Sequence, residues 1–439
     1  MRRLLIIGLF FPLLMQAQDD SCSVKTKCFK DFFANGSSHG HFRNYFMTTE
    51  QYSSSNDHYA NATGGAIAYR TAELLGFQLG VKGIFTFNTA SSDLTINEGK
   101  IWERQLFDVN RPEEKLDLDR LEELFIKYQN KKVQLVIGRF DFDSPLLNPS
   151  DGRMKPYVYS GVGLGVELHK TFRINSRYIN SLSPRSTTHF YGIGDNVGLF
   201  ENGVNSEGEN VDYSHQVKSD FIWVNSLYFK LKKGWGLAYH NNFLDGININ
   251  QYVDLSIEGV KWNYGVQFLN QGRLLNPHNV IYYDNQVQSN VVSIQFERIL
   301  NDCDLAINYS TVFGGRFLFP REFGREEFYG SISRLRIEGK NNVHVFGMRQ
   351  ALKLEKKKWK DLEFKVEEAL MLVSEDQSDN KYQESDLAQV NVELDYHFHK
   401  HLKGLVMKLL LVNQVQMNES GNQRVEGMSQ VNLITNINF

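Results

Sequence analysis

Proline and cysteine are scarce in this sequence: eight prolines and three cysteines in 439 residues. So few prolines suit long regular elements, because each one fixes φ and removes a backbone donor. No stretch approaches 18 uninterrupted apolar residues, which excludes a transmembrane helix. Familiar catalytic signatures are missing too, with no G-x-S-x-G, no H-E-x-x-H and no P-loop. The formal net charge of −3 supplies no basic surface, which argues against a nucleic-acid partner. No proline- or serine-rich linker and no break in composition marks a domain boundary. The chain therefore reads as one large closed architecture rather than the two or three domains its length would ordinarily suggest.

The cysteines give little chemistry. Cys22 and Cys28 enclose CSVKTKC, where a small disulfide loop and two free thiols remain open alternatives. Cys303, in NDCD, reads as structural. C-x5-C without a histidine pair is a poor zinc signal. His397, His399 and His401 alternate in HFHKH, but they fall at a predicted turn and read as solvated rather than metal-binding. No metal, no cofactor and no enzymatic activity are expected.

What is present is alternation. After MRRLLIIGLFFPLLMQA, which reads as a cleaved secretory signal over 1–17, and a short segment over 18–38, period-2 patterns fill the chain from 39 to 439. In GFQLGVKGIFTFN, Phe77, Leu79, Val81, Phe85 and Phe87 share one face, while Gln78, Lys82, Thr86 and Asn88 share the other. Trp262, Tyr264, Val266 and Phe268 oppose Lys261, Asn263 and Gln267. Val390, Val392, Leu394, Tyr396 and Phe398 oppose Gln389, Asn391, Glu393, Asp395 and His397. Apolar, aromatic faces against polar, charged ones suit a wall with lipid outside and water inside. Many runs approach ten residues, the length that crosses a bilayer when tilted.

The spacing predicts about 18 strands with alternating short and long connections, the latter including 48–62, 89–119, 141–159, 179–219 and 314–342. Outer-membrane barrels pair short periplasmic turns with long external loops in this way. Closure removes the sheet edge, whose unpaired amides hydrocarbon cannot satisfy. The fold class is therefore all-β, an antiparallel transmembrane β-barrel in the outer membrane of a Gram-negative-type bacterium. The last strand, VNLITNINF, ends on Phe439, similar to the signal by which such barrels engage their assembly machinery.

Several stretches resemble the OprD-type outer-membrane porins. They are GHFRNYFMTT from Gly40, GGAIAYRTAELLGFQLGVKGIF from Gly64, GRFDFDSPLLNPSDGRMKPYVYSGV from Gly138, and FPREFGREEFY from Phe319 followed by SRLRIEG. The resemblance implies an 18-stranded barrel for small-solute uptake, with the third and seventh loops folded toward the lumen and arginines lining one wall. Carried over by position, it nominates Arg139, Arg153, Arg316, Arg321, Arg325, Arg334 and Arg336. The alternation adds Arg173 and Arg177, which would otherwise face lipid, and more weakly Arg43 and Arg70. Asp141, Asp143 and Glu322 are the acids expected to take the amino end of a zwitterion. Where many relatives carry a proline-rich run and a tryptophan in the seventh loop, this chain has Phe323 and Ser333, so substrate preference does not carry over.

The expected function is diffusion of small hydrophilic, charged or zwitterionic solutes through a charge-lined constriction. The expected partners are those solutes, outer-membrane lipid and lipopolysaccharide, with monomer and trimer both open. The alternative readings are a structural or interaction subunit of an envelope complex and, further off, an outer-membrane hydrolase.

Overall fold

A computed structural model of the protein describes residues 29–52, 57–96, 100–150, 152–200, 202–232, 234–283, 286–353, 361–399, 402–417 and 424–439. The signal reading, Cys22, Cys28, Asp151 and His401 lie outside the described residues.

Eighteen antiparallel strands close on themselves. The first seven are β1 (Ser37–Gln51), β2 (His58–Arg70), β3 (Phe77–Ser91), β4 (Arg120–Gln129), β5 (Val133–Phe140), β6 (Val158–His169) and β7 (Phe172–Ser183). After the long fourth loop come β8 (Ile222–Lys232), β9 (Trp235–Leu244), β10 (Asn248–Glu258), β11 (Trp262–Arg273), β12 (Gln288–Ile299) and β13 (Cys303–Phe313). Beyond the seventh loop are β14 (Val343–Lys353), β15 (Leu362–Leu372), β16 (Leu387–His397), β17 (Leu405–Met417) and β18 (Arg424–Asn438). Each strand pairs with its neighbours in sequence, and β1 pairs with β18 from His41↔Asn438 to Gln51↔Met428. A further two-residue strand, Tyr191–Gly192, extends from β7 inside the fourth loop.

The alternation decides which side chains meet lipid. Phe77, Val81, Phe85 and Phe87 on β3, Tyr264, Val266 and Phe268 on β11, and Val431, Leu433 and Ile437 on β18 are all exposed on the outer wall. The residues between them point inward, and Gln267, Leu269, Gln271, Gln430 and Asn432 are buried. A barrel of this strand number is too wide for its wall side chains to fill, so loops fill part of it. The largest apolar cluster lies inside the wall. Phe317, Phe319, Phe323, Phe328 and Leu335 of the seventh loop join Leu146 and Leu147 of the third and Tyr213 and Val217 of the fourth, against inward-facing Tyr252, Leu269, Val291 and Val345.

Two departures from the sequence reading concern boundaries. A short helix, Phe29–Ala34, precedes β1 within the short segment over 18–38, to which the sequence reading assigns no element, and Ala72 N–H donates to its Phe32 carbonyl (3.0 Å). The first loop is also shorter than the 48–62 expected, because β1 runs to Gln51 and β2 starts at His58. Polar residues there continue the ladder, since backbone pairing does not require an apolar side chain.

Candidate solute pathway

The seventh loop, 314–342, crosses the lumen, and the inner wall satisfies its backbone. Buried backbone groups need partners, and here inward-facing amides and hydroxyls supply them. Asn248 Nδ2 donates to Leu318 O (2.7 Å), and Gln267 Nε2 to Glu327 O (3.2 Å). Tyr329 N–H donates to Ser293 Oγ and Gly330 N–H to Ser310 Oγ, each at 2.9 Å. Asn391 Nδ2 donates to Ser333 O (3.1 Å). The loop is thus fastened to β10, β11, β12, β13 and β16 in turn.

The third loop clasps it from the other side. Tyr159 Oη donates to Phe323 O and Tyr157 Oη to Arg321 O, both at 2.8 Å. Asn148 Nδ2 donates to Arg325 O (2.7 Å), and Glu327 N–H donates to Pro145 O (3.0 Å). Gly324 lies against the Leu146 carbonyl, and a Cβ there would collide with it. Together the two loops form a waist.

A cavity opens on each side of the waist. The upper one, about 340 Å³, is lined by Lys100, Arg185, Arg321, Arg325, Arg334 and Arg336, with Glu384 as the carboxylate among its lining residues. The lower one, about 450 Å³, is lined by Glu326, Glu327, Glu367, Arg349 and again Arg325. Arg325 belongs to both.

The upper arginines are held by aromatic faces and hydrogen bonds. Arg321 stacks 3.7 Å above Tyr382 and pairs with Glu338 at 2.9 Å. Arg334 donates to Gln430 Oε1 (2.8 Å) and lies 5.7 Å from the Trp102 ring, whose other cation, Lys100, is at 4.2 Å. Arg334 also sits at φ 75°, a conformation costing on the order of 1–3 kcal/mol for a residue with a side chain. Its hydrogen bonds help to hold it there. Burial and the neighbouring arginines lower the pKa of Arg334 to about 10, and burial lowers that of Arg185 to about 9, so both remain charged at neutral pH. In the lower cavity, burial and then nearby Asp143 push the Glu327 carboxyl up to about 7, against the pull of Arg325. Asp143 itself is raised by burial and then by Asp141.

The nominated residues do not all gather here. Arg321, Arg325, Arg334 and Arg336 do. Arg173 and Arg177 face inward elsewhere on β7, paired in register with Tyr228 and buried Val224, and they stack near Tyr228 (4.7 Å) and Phe142 (5.6 Å). Arg153 and Arg316 are buried braces: Arg153 donates to Gln105 Oε1 (2.9 Å), and Arg316 to Tyr283 O (3.1 Å). Glu322 turns away from the waist and accepts from Gly198 N–H (3.1 Å) and Phe200 N–H (2.9 Å), tying the seventh loop to the fourth. Arg139 does not reach the lumen. It pairs in register with outward Leu124 and stacks on Phe190 at 4.1 Å, because parity on β5 places Val136 and Phe140, not Arg139, inside. Arg43 bonds Asn436 Oδ1 (2.7 Å), and Arg70 pairs with Glu123 (3.3 Å). At the opposite rim, His399 pairs with Asp361 (2.6 Å) and His397 with Glu363 (3.5 Å), carboxylates that spacing in HFHKH alone does not reveal.

Lys100, Arg185, Glu384, Arg349 and Glu367 also line the pathway, beyond the nominated set. Arg349 and Glu367 are accessible by parity, opposite outward Phe346 and Leu370. Lys100, Arg185 and Glu384 sit in irregular loops where no periodicity signals direction.

No family model and no curated protein matches this sequence. Solved structures do. OccAB4 of Acinetobacter baumannii superposes with a TM-score of 0.72 at 14% identity, covering 92% of this chain and 98% of that one. OccK8 (OprE) of Pseudomonas aeruginosa gives 0.71 at 12% identity, with 93% and 99% covered. OpdK of the same organism, solved with vanillate, gives 0.69 at 15%, again over 93% and 99%. The resemblance read from the sequence is borne out at the level of architecture: the chain has the closed 18-stranded fold of the OprD-type outer-membrane porins of Pseudomonas and Acinetobacter.

Proposed function

We propose that the protein is an outer-membrane channel through which small hydrophilic solutes diffuse, with a preference for organic anions and zwitterions. The observation that carries this reading is Arg325, which borders both cavities at the waist formed by loops three and seven. A fixed charge in a narrow passage with low-dielectric walls concentrates counter-ions and rejects co-ions. Guanidinium groups also orient carboxylates through paired N–H donors. Stacking on Tyr382 and near Trp102 supports upper guanidinium groups from their faces. Carboxylates beneath Arg325, Glu327 and Glu367 among them, are suited to an ammonium group. An aromatic carboxylate such as the vanillate of the OpdK structure is a reasonable first solute, because Trp102, Phe200, Leu335 and Met371 add apolar surface to the basic cavity.

Purified protein in a planar bilayer is expected to form discrete, anion-preferring channels whose small-ion current falls when vanillate is added. A sealed barrel without conductance would end this reading. Channels with no charge preference would leave a pore and remove the role given to the arginines.

A further inference from the structure

The two rims of the barrel carry opposite charge. Taken between strand ends, the described residues of the nine long loops hold twenty-five carboxylates against fifteen lysines and arginines. Among the described residues, the eight short connections hold five lysines against three carboxylates, and no arginine. The described turn lysines Lys131, Lys132, Lys170, Lys261 and Lys403 are all exposed.

Exposed apolar residues accompany them. Val260 precedes Lys261 and is 92% exposed, and Leu402 precedes Lys403 at 52%. Leu168 stands two residues before Lys170, and Leu75, in the turn that receives the N-terminal helix, is 87% exposed. That helix adds exposed Phe29 and Phe33 beside Lys30. Such residues have little reason to stand at turn tips in water. They continue the outer apolar wall, which carries Phe77 and Trp235 on the strands leading from these turns.

We propose that the short-turn rim is a lipid-binding collar whose lysines take the anionic headgroups of phospholipids in the periplasmic leaflet, while its turn-tip leucines and valine insert at the headgroup–acyl boundary. Charge and hydrophobicity occur together at this rim, as in segments that lie in an anionic membrane interface. Lysine suits the task as a flexible, compact charge, where arginine would favour fixed bidentate partners. The acidic loop rim offers anionic headgroups no comparable attraction. The inference rests on the barrel crossing a membrane and is independent of what passes through it.

The test uses the full mature protein in a neutral detergent, with labelled phosphatidylglycerol and phosphatidylcholine as probes. The unaltered protein is expected to retain phosphatidylglycerol over phosphatidylcholine by roughly tenfold or more at low salt. The preference should collapse at about 0.5 M salt, where the Debye length is only a few ångströms. Joint Lys131→Glu, Lys132→Glu, Lys170→Glu, Lys261→Glu and Lys403→Glu substitution should abolish it, while Lys→Arg at the same five positions keeps it. Equal retention of the two lipids, or a preference indifferent to salt, overturns the proposal even if the Glu variant fails to assemble. A preference that survives in an assembled Glu variant overturns it as well and assigns the headgroups to another surface, such as the arginines of loop seven. Channel conductance reports separately on the solute pathway.

Discussion

The two cavities that meet at Arg325 share the seventh loop as a wall and have opposite character. Above the waist, six cationic side chains surround a space with Glu384 as the acid among its lining residues. Below it, Glu326, Glu327 and Glu367 face Arg325 and Arg349. Sequence distance does not separate these sets: Arg325, Glu326 and Glu327 are consecutive. What separates them is the path of the backbone. Phe323 and Phe328 are anchored in the lumenal cluster, and the residues between them are distributed above, into and below the waist. A chain that bends through a constriction converts a mixed charge run into two opposed fields.

The largest expected effect comes from removing the waist. Gly324→Val has no space against the Leu146 carbonyl, so the clasp between loops three and seven should open and merge the cavities. Single-channel conductance should rise severalfold while the barrel itself stays heat-modifiable on gels. Unchanged conductance would mean that the clasp does not limit flow.

Reversing the shared charge comes next. Arg325→Glu is expected to invert the anion preference and Arg325→Gln to remove most of it. One charge in a partly desolvated passage is worth on the order of 1–2 kcal/mol, or roughly tenfold in permeability ratio. Reversal potentials in a salt gradient measure this directly.

A smaller effect is expected from pH. The Glu327 carboxyl is pushed up to about 7 by burial and by Asp143. Above that pH it is charged and opposes anions; below it, it is neutral. Anion preference should therefore increase as pH falls from 8 to 6, with the upper arginines charged throughout. Glu327→Gln should flatten this step at the low-pH level. A step that persists in the variant would point to another carboxyl.

The smallest effect sharpens the comparison by its absence. Arg139→Gln alters a guanidinium stacked on Phe190 on the outer side of the wall, and neither conductance nor selectivity should change. A change in either would bring Arg139 back to the pathway.

Much of this molecule is legible in its sequence. Alternation identifies the lipid-facing set Phe77, Val81, Tyr264, Phe268 and Ile437, because a strand has only two faces and lipid tolerates one kind of side chain. The connection lengths give the rims, and the bounds of loop seven, 314–342, agree with the strand ends. In irregular loops no period relates position to direction. Arg316, Arg321 and Arg325 are spaced alike to the eye, yet one braces the fourth and sixth loops, one pairs with Glu338, and one lies at the waist.

By itself, then, the sequence determined a closed barrel with charge inside, its strand order, and which loops carry the arginines. These follow from local periodicity and from the need of every backbone amide in hydrocarbon to find a partner. Only the tertiary structure decided that Glu322 caps the amides of Gly198 and Phe200, that Arg185 and Lys100 join the upper cavity, and that Arg325 is common to both spaces. Those outcomes depend on contacts between residues more than a hundred positions apart, fixed by how apolar anchors pack inside the lumen.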